Sequence, residues 1–85
     1  MKIALDYDGT YTLDSKFWQS FIDLAKSNGH EVWIVTMRYP TEPIDIHEKI
    51  VYTSRRAKKS QCERRGYYFD IWIDDSPEWL FVNGE

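Results

Sequence analysis

Four acidic residues stand where carboxylates can act together. Asp6 and Asp8 follow the apolar run Lys2-Ile3-Ala4-Leu5, and Asp74 and Asp75 follow Ile71-Trp72-Ile73. Two carboxylates within ~4 Å repel by about 4 kcal/mol at an effective dielectric near 20, so a gathered set of four demands positive charge. A hard divalent cation suits such oxygens, and Mg2+ combines one or two protein carboxylates with waters and phosphate oxygens. The basic residues are segregated as well: six of eleven, Arg55, Arg56, Lys58, Lys59, Arg64 and Arg65, fall within one short stretch. Asp14, by contrast, reads as a helix cap.

The elements that must position these groups alternate. Lys2–Leu5 is a strand covered on both faces, and in a helix capped by Asp14 or Ser15 the residues Phe17, Trp18, Phe21, Ile22, Leu24 and Ala25 recur at the spacing of one helical face up to the Asn28-Gly29 stop. Val32–Val35, ending at Thr36, is a second strand. Pro40 and Pro43 make residues 37–47 an irregular loop. Ile50–Thr53 is a third strand, residues 54–65 a thin helix capped by Ser54 and stopped by Gly66, and Ile71–Ile73 a fourth strand. This alternation predicts an α/β fold, a minimal Rossmann-like three-layer sandwich with a parallel sheet of about four strands. Right-handed crossovers bring Asp6, Asp8, Thr36, Asp74 and Asp75 to one edge, where open α/β sheets bind ligands.

Asp6-Tyr7-Asp8-Gly9-Thr10 after an apolar strand resembles the first motif of the haloacid dehalogenase-like (HAD) hydrolase superfamily. Thr36 is similar to the second motif, Lys58 (or Lys59) to the third, and Asp74-Asp75 to the fourth. The segment from Asp70 to Pro77 also resembles a variant in small stand-alone HAD-like proteins of bacteria and their phages. The resemblance runs from residue 3 to 75 and implies a single HAD-like domain over residues 1–85. Neither place where the family inserts a cap domain has room for one, which implies a capless form with an open site.

The resemblance further implies that Asp6 is a nucleophile forming an aspartyl-phosphate and that Asp8 is general acid and then base. Thr36 would donate its hydroxyl to a phosphoryl oxygen, and Lys58 would offset charge. Mg2+ would be held by Asp6, the Asp8 main-chain carbonyl and Asp74, with Asp75 acting directly or through water. Lys58 and Lys59 lie about 100° apart on a helix, so only one faces the edge; Lys58 is preferred, with Lys59 kept beside it as a substrate contact. Gly9, Thr10, Arg38, Arg55 and Arg56 are the other candidate substrate contacts. Arginine forks suit phosphate, so a second phosphate of a nucleotide could be recognised by Arg55 and Arg56.

Composition narrows the partners. The 85 residues are 42% hydrophobic, 29% charged and 16% aromatic, as in a globular chain. A net charge of −3 makes nucleic acid an unlikely partner. No apolar run suggests a membrane span or secretory signal, so a cytoplasmic location is expected, or the host cytoplasm for a phage-encoded chain. Cys62, the single cysteine, cannot form an internal disulfide. The apolar tail Trp79–Val82 either packs over the sheet edge or makes a homodimer contact. The leading functional expectation is a Mg2+-dependent phosphohydrolase acting on a small phosphorylated metabolite or nucleotide. The alternative is a non-catalytic HAD-like protein that binds or sequesters a nucleotide or a signal derived from one.

Overall fold

Each apolar run becomes a strand because its alternate side chains find cover on opposite sides of one sheet. A computed structural model describes residues 1–84. Its elements are β1 (Lys2–Leu5), α1 (Ser15–Ser27), β2 (Glu31–Thr36), β3 (Lys49–Tyr52), α2 (Lys58–Arg64) and β4 (Ile71–Ile73), with 3₁₀ turns at Tyr11–Leu13 and Pro77–Leu80. The strands are all parallel, in the order β3-β2-β1-β4. Leu5 aligns with both Ile34 and Ile73, so β1, β2 and β4 deliver their following residues to one edge.

Ile3, Leu5, Val32 and Ile34 point to one face and pack with Ile22 and Ala25 of α1. Ala4, Val35 and Val51 point to the other and pack with Cys62 of α2, flanked by Trp33, Tyr67, Phe69 and Trp72. The strands between two helical layers make the expected three-layer α/β sandwich, with no cap domain. Asp14 caps α1, its Oδ1 accepting from Phe17 N at 3.1 Å. No helix among the described residues is long and apolar enough to cross a membrane.

Three local features differ from the sequence expectation. The basic helix begins at Lys58, not 54, and Ser54 is not its cap. Ser54 and Arg55 instead adopt left-handed backbone angles, φ 53° and 66°, which L-residues with side chains reach at a cost of about 1–2 kcal/mol each. The turn is held by Ser54 N donating to Arg38 O, Arg55 N to Met37 O, and Gly84 N to Arg55 O. The 37–48 connection is irregular, as expected, yet Ile44 is buried and Ile46 joins the α1-side core, so this loop covers the sheet where a helix ordinarily would. The tail divides: Leu80 is buried, whereas Phe81 is 71% exposed.

Sheet order fixes where a ligand belongs. The chain steps outward from β1 through β2 to β3, then returns across the sheet to place β4 on the other side of β1. The reversal opens a crevice at the C-terminal ends of β1 and β4, the position at which open α/β sheets bind ligands.

Candidate functional site

Asp6 sits one residue beyond β1, its backbone N–H still donating to Ile73 O at 2.9 Å. That bond ties it to the end of β4, and Asp74 and Asp75 follow immediately. One oxygen from each of Asp6, Asp74 and Asp75 lies within 4.8 Å of the others. Lys58, itself 4% exposed, enters from the start of α2 and donates 2.6 Å hydrogen bonds to Asp6 Oδ1 and Asp74 Oδ2. Its charge is what lets two carboxylates share so dry a place, since a buried ion survives only when paired.

Thr10 completes the acidic cluster from behind. Its hydroxyl donates to Asp6 Oδ2 at 3.0 Å, with Asp75 Oδ1 at 3.3 Å as a second acceptor, and accepts from Asp75 N. Thr10 therefore orients carboxylates more directly than it could touch a ligand. Gly9 is required by space as well as by its φ of +83°: a Cβ there would lie 2.6 Å from Asp75 Oδ2. Ser76 N donates to Asp74 Oδ1 at 3.0 Å, fixing that carboxylate's second oxygen.

Asp8 stands apart from the other three acids. Arg38 grips its carboxylate through Nε at 2.9 Å and Nη2 at 2.8 Å, and lies over the Tyr7 ring. These bonds hold the Asp8 carboxyl below the usual carboxylate range. Asp6 moves the other way, pushed up to about 6 because burial disfavours its charge more than Lys58 restores it. Asp75 is lowered, chiefly by its shared hydrogen bonding with Asp6. One edge thus presents a carboxyl that resists ionisation beside two held ionised.

A cleft of about 280 Å³ opens over this group, walled by Met37, Arg38, Arg55, Ser76 and Trp79. Arg55 donates to Met37 O at 2.7 Å and to both Glu42 oxygens at 3.3 Å. A larger hollow of about 450 Å³ lies at the opposite strand ends, near His30, Trp33 and His47. Its acids are already neutralised, Glu48 by Lys26 at 3.1 Å and Glu31 by Lys49 at 3.8 Å. The smaller cleft has the convergent chemistry.

The other candidate residues are distributed unevenly. Thr36 is buried at the end of β2 behind Arg38, its Oγ1 accepting from Arg38 N at 3.2 Å, and is not on the cleft wall. Lys59 turns away and pairs with Glu63 at 2.6 Å, so of the two lysines it is Lys58 that reaches the acids. Arg56 is exposed beside Arg55, at the rim. Trp79 walls the cleft, in keeping with a tail that packs over the sheet edge, whereas sequence reasoning missed Glu42 as the partner of Arg55, and Asn83, whose Oδ1 accepts from Ala57 N at 2.8 Å. Neither of these two has a local signal, because each acts on a residue at least thirteen positions away.

The donor set suits a hard divalent cation. Octahedral Mg2+ with oxygens at about 2.1 Å places its ligands roughly 3–4 Å apart, within reach of the spacing here. Asp6, Asp74 and Asp75 could hold such an ion, while the Asp8 carboxylate faces Arg38 instead. Comparison of the chain with protein-family models, with curated proteins and with solved structures finds no match, so the site stands on its own geometry.

Proposed function

We propose that the protein is a Mg2+-dependent phosphohydrolase of the capless HAD-like kind, acting on a small phosphorylated metabolite or nucleotide. The supporting observation is the gathering of Asp6, Lys58, Asp74 and Asp75 at the floor of an open cleft. Asp6 is the nucleophile: one of its oxygens bonds to phosphorus as the bond to the leaving oxygen breaks. Asp8 delivers a proton to that oxygen, then takes one from the water that attacks the aspartyl-phosphate and frees Asp6. Lys58 offsets charge on Asp6 and the phosphoryl oxygens, and Arg38 and Arg55 orient the incoming phosphate. Asp6, Asp74 and Asp75 would hold Mg2+, which when bound supplies charge neutralisation at the phosphoryl group.

The test is phosphate release from a panel of phosphate esters with Mg2+. Turnover by the native chain that vanishes in Asp6→Asn supports the reading, and a native chain inert across the panel refutes it.

One observation favours a second reading. Arg38 favours the ionised form of Asp8, a poor state for the acid that the first step needs. On this reading the cleft binds a phosphorylated ligand without cleaving it. Mass spectrometry of the ligand recovered from the protein separates the two, since intact ligand favours retention and dephosphorylated product favours hydrolysis.

A further inference from the structure

Beside the cleft lies a second hollow of about 180 Å³, lined by Tyr39, Ser54, Arg55, Arg56, Asn83 and Gly84. Arg55 lines both spaces, so they are neighbours. We propose that this hollow is a second phosphoryl subsite, and that the ligand is a small molecule carrying two separated phosphoryl groups. The inference rests on the phosphoryl-binding reading of the cleft and specifies its substrate class.

Charge pairing is the first argument. Lys58 is occupied by Asp6 and Asp74, Arg38 by Asp8, and Arg55 by Glu42. Arg56 is exposed and makes no ion pair with another described residue. It is the cation that a second anion can take without displacing a carboxylate.

Backbone geometry is the second. The left-handed Ser54 and Arg55 are held against the loop after β2 by two backbone bonds and against the tail by Gly84 N, 2.6 Å from Arg55 O. The backbone of Arg56 is fixed too, its N–H donating to Thr53 O at 3.0 Å and its carbonyl accepting from Thr53 Oγ1 at 2.9 Å. A strained turn over-determined in this way is a common device for presenting side chains at a ligand site. The Arg56 guanidinium, with the hydroxyls of Ser54 and Tyr39, supplies donors for one phosphoryl group. The small volume of the hollow and the chain's net negative charge favour a small molecule over a polynucleotide.

Calorimetric titration with adenosine 3′,5′-bisphosphate and with adenosine 5′-monophosphate, in Mg2+, tests this on the native chain and on Asp6→Asn. The bisphosphate should bind about tenfold tighter, the gain expected of added charge-assisted hydrogen bonds. Arg56→Gln should bring the ratio to within about twofold, and Arg56→Lys should keep part of it. Equal affinities, a preference that survives Arg56→Gln, or no binding of the bisphosphate would each overturn the subsite. A 5′-phosphorylated oligonucleotide binding as tightly as the bisphosphate would overturn the small-molecule assignment. Phosphate release from phenyl phosphate is measured in parallel. Release without a bisphosphate preference removes the subsite and leaves the hydrolase; the preference without release does the reverse.

Discussion

At the scale of single residues, Lys58 and Asp6 define the site and make it costly. Lys58 is the only cation bonded to either Asp6 or Asp74 among the described residues. Lys58→Ala would leave two buried carboxylates facing each other, a loss of about 3–5 kcal/mol for a broken buried pair. Thermal unfolding should show that loss in chelator and a smaller one in millimolar Mg2+, since a cation at the acids replaces part of the missing charge. The raised Asp6 carboxyl gives a second expectation. Its ordinary value is 3.8 and its folded value about 6, so between them the native state binds more protons than the unfolded state. The stability it contributes is therefore full below about pH 4 and is lost as pH rises through about 6. Asp8 and Asp75, lowered by their partners, act with the opposite sign and below that window. In metal-free protein the urea midpoint should fall from pH 4 to 6, and Asp6→Asn should flatten that slope.

At the scale of elements, what the sequence disclosed and what it hid follow one physical division. The four strands were legible because each is an apolar run closed by a polar residue, and α1 because Asp14 and Asn28-Gly29 bracket an apolar face. The meeting of Asp6 with Asp74 was legible too, since parallel strands put their ends on one edge. The start of α2 was not. Ser54 before a basic run looks like a cap, but the backbone there is set by Met37, Arg38 and Gly84, all remote in sequence. The Arg38–Asp8 pair was hidden for the same reason, being thirty positions apart. Asn83 reaches the start of α2 from a distance, its Oδ1 accepting from Ala57 N at the N-cap position. Asn83→Ala should cost about 1 kcal/mol, the usual net worth of one hydrogen bond. It should also raise hydrogen exchange at the Ala57 amide while leaving α1 unchanged. Equal protection in both proteins would mean that the tail does not steady the element carrying Lys58.

At the scale of the whole molecule, the described residues leave the cleft open, and on the proposed function recognition then falls to charge. The cleft gathers Asp6, Asp8, Asp74 and Asp75 against Arg38, Arg55 and Lys58, leaving one net negative charge, or two with Glu42. An anionic ligand entering alone meets repulsion, and a divalent cation entering alone brings the cleft to one net positive charge, or to neutrality with Glu42, which removes that repulsion. Each should therefore favour the other. Binding linkage requires the two effects to be equal: if Mg2+ tightens inorganic phosphate by some factor, phosphate must tighten Mg2+ by the same factor. We expect that factor to be about tenfold or more, within the usual range for coupled sites. Titrating phosphate with and without Mg2+, and Mg2+ with and without phosphate, gives both sides of the cycle. Tight phosphate binding in chelator would mean that the arginines act unaided and that the acids do not assemble a cation site. Strong Mg2+ binding indifferent to phosphate would mean an ion held for structure alone. Reciprocal coupling, abolished in both directions by Asp74→Asn, is the result expected of a cleft whose acids and arginines are built to hold an ion and a phosphoryl group together.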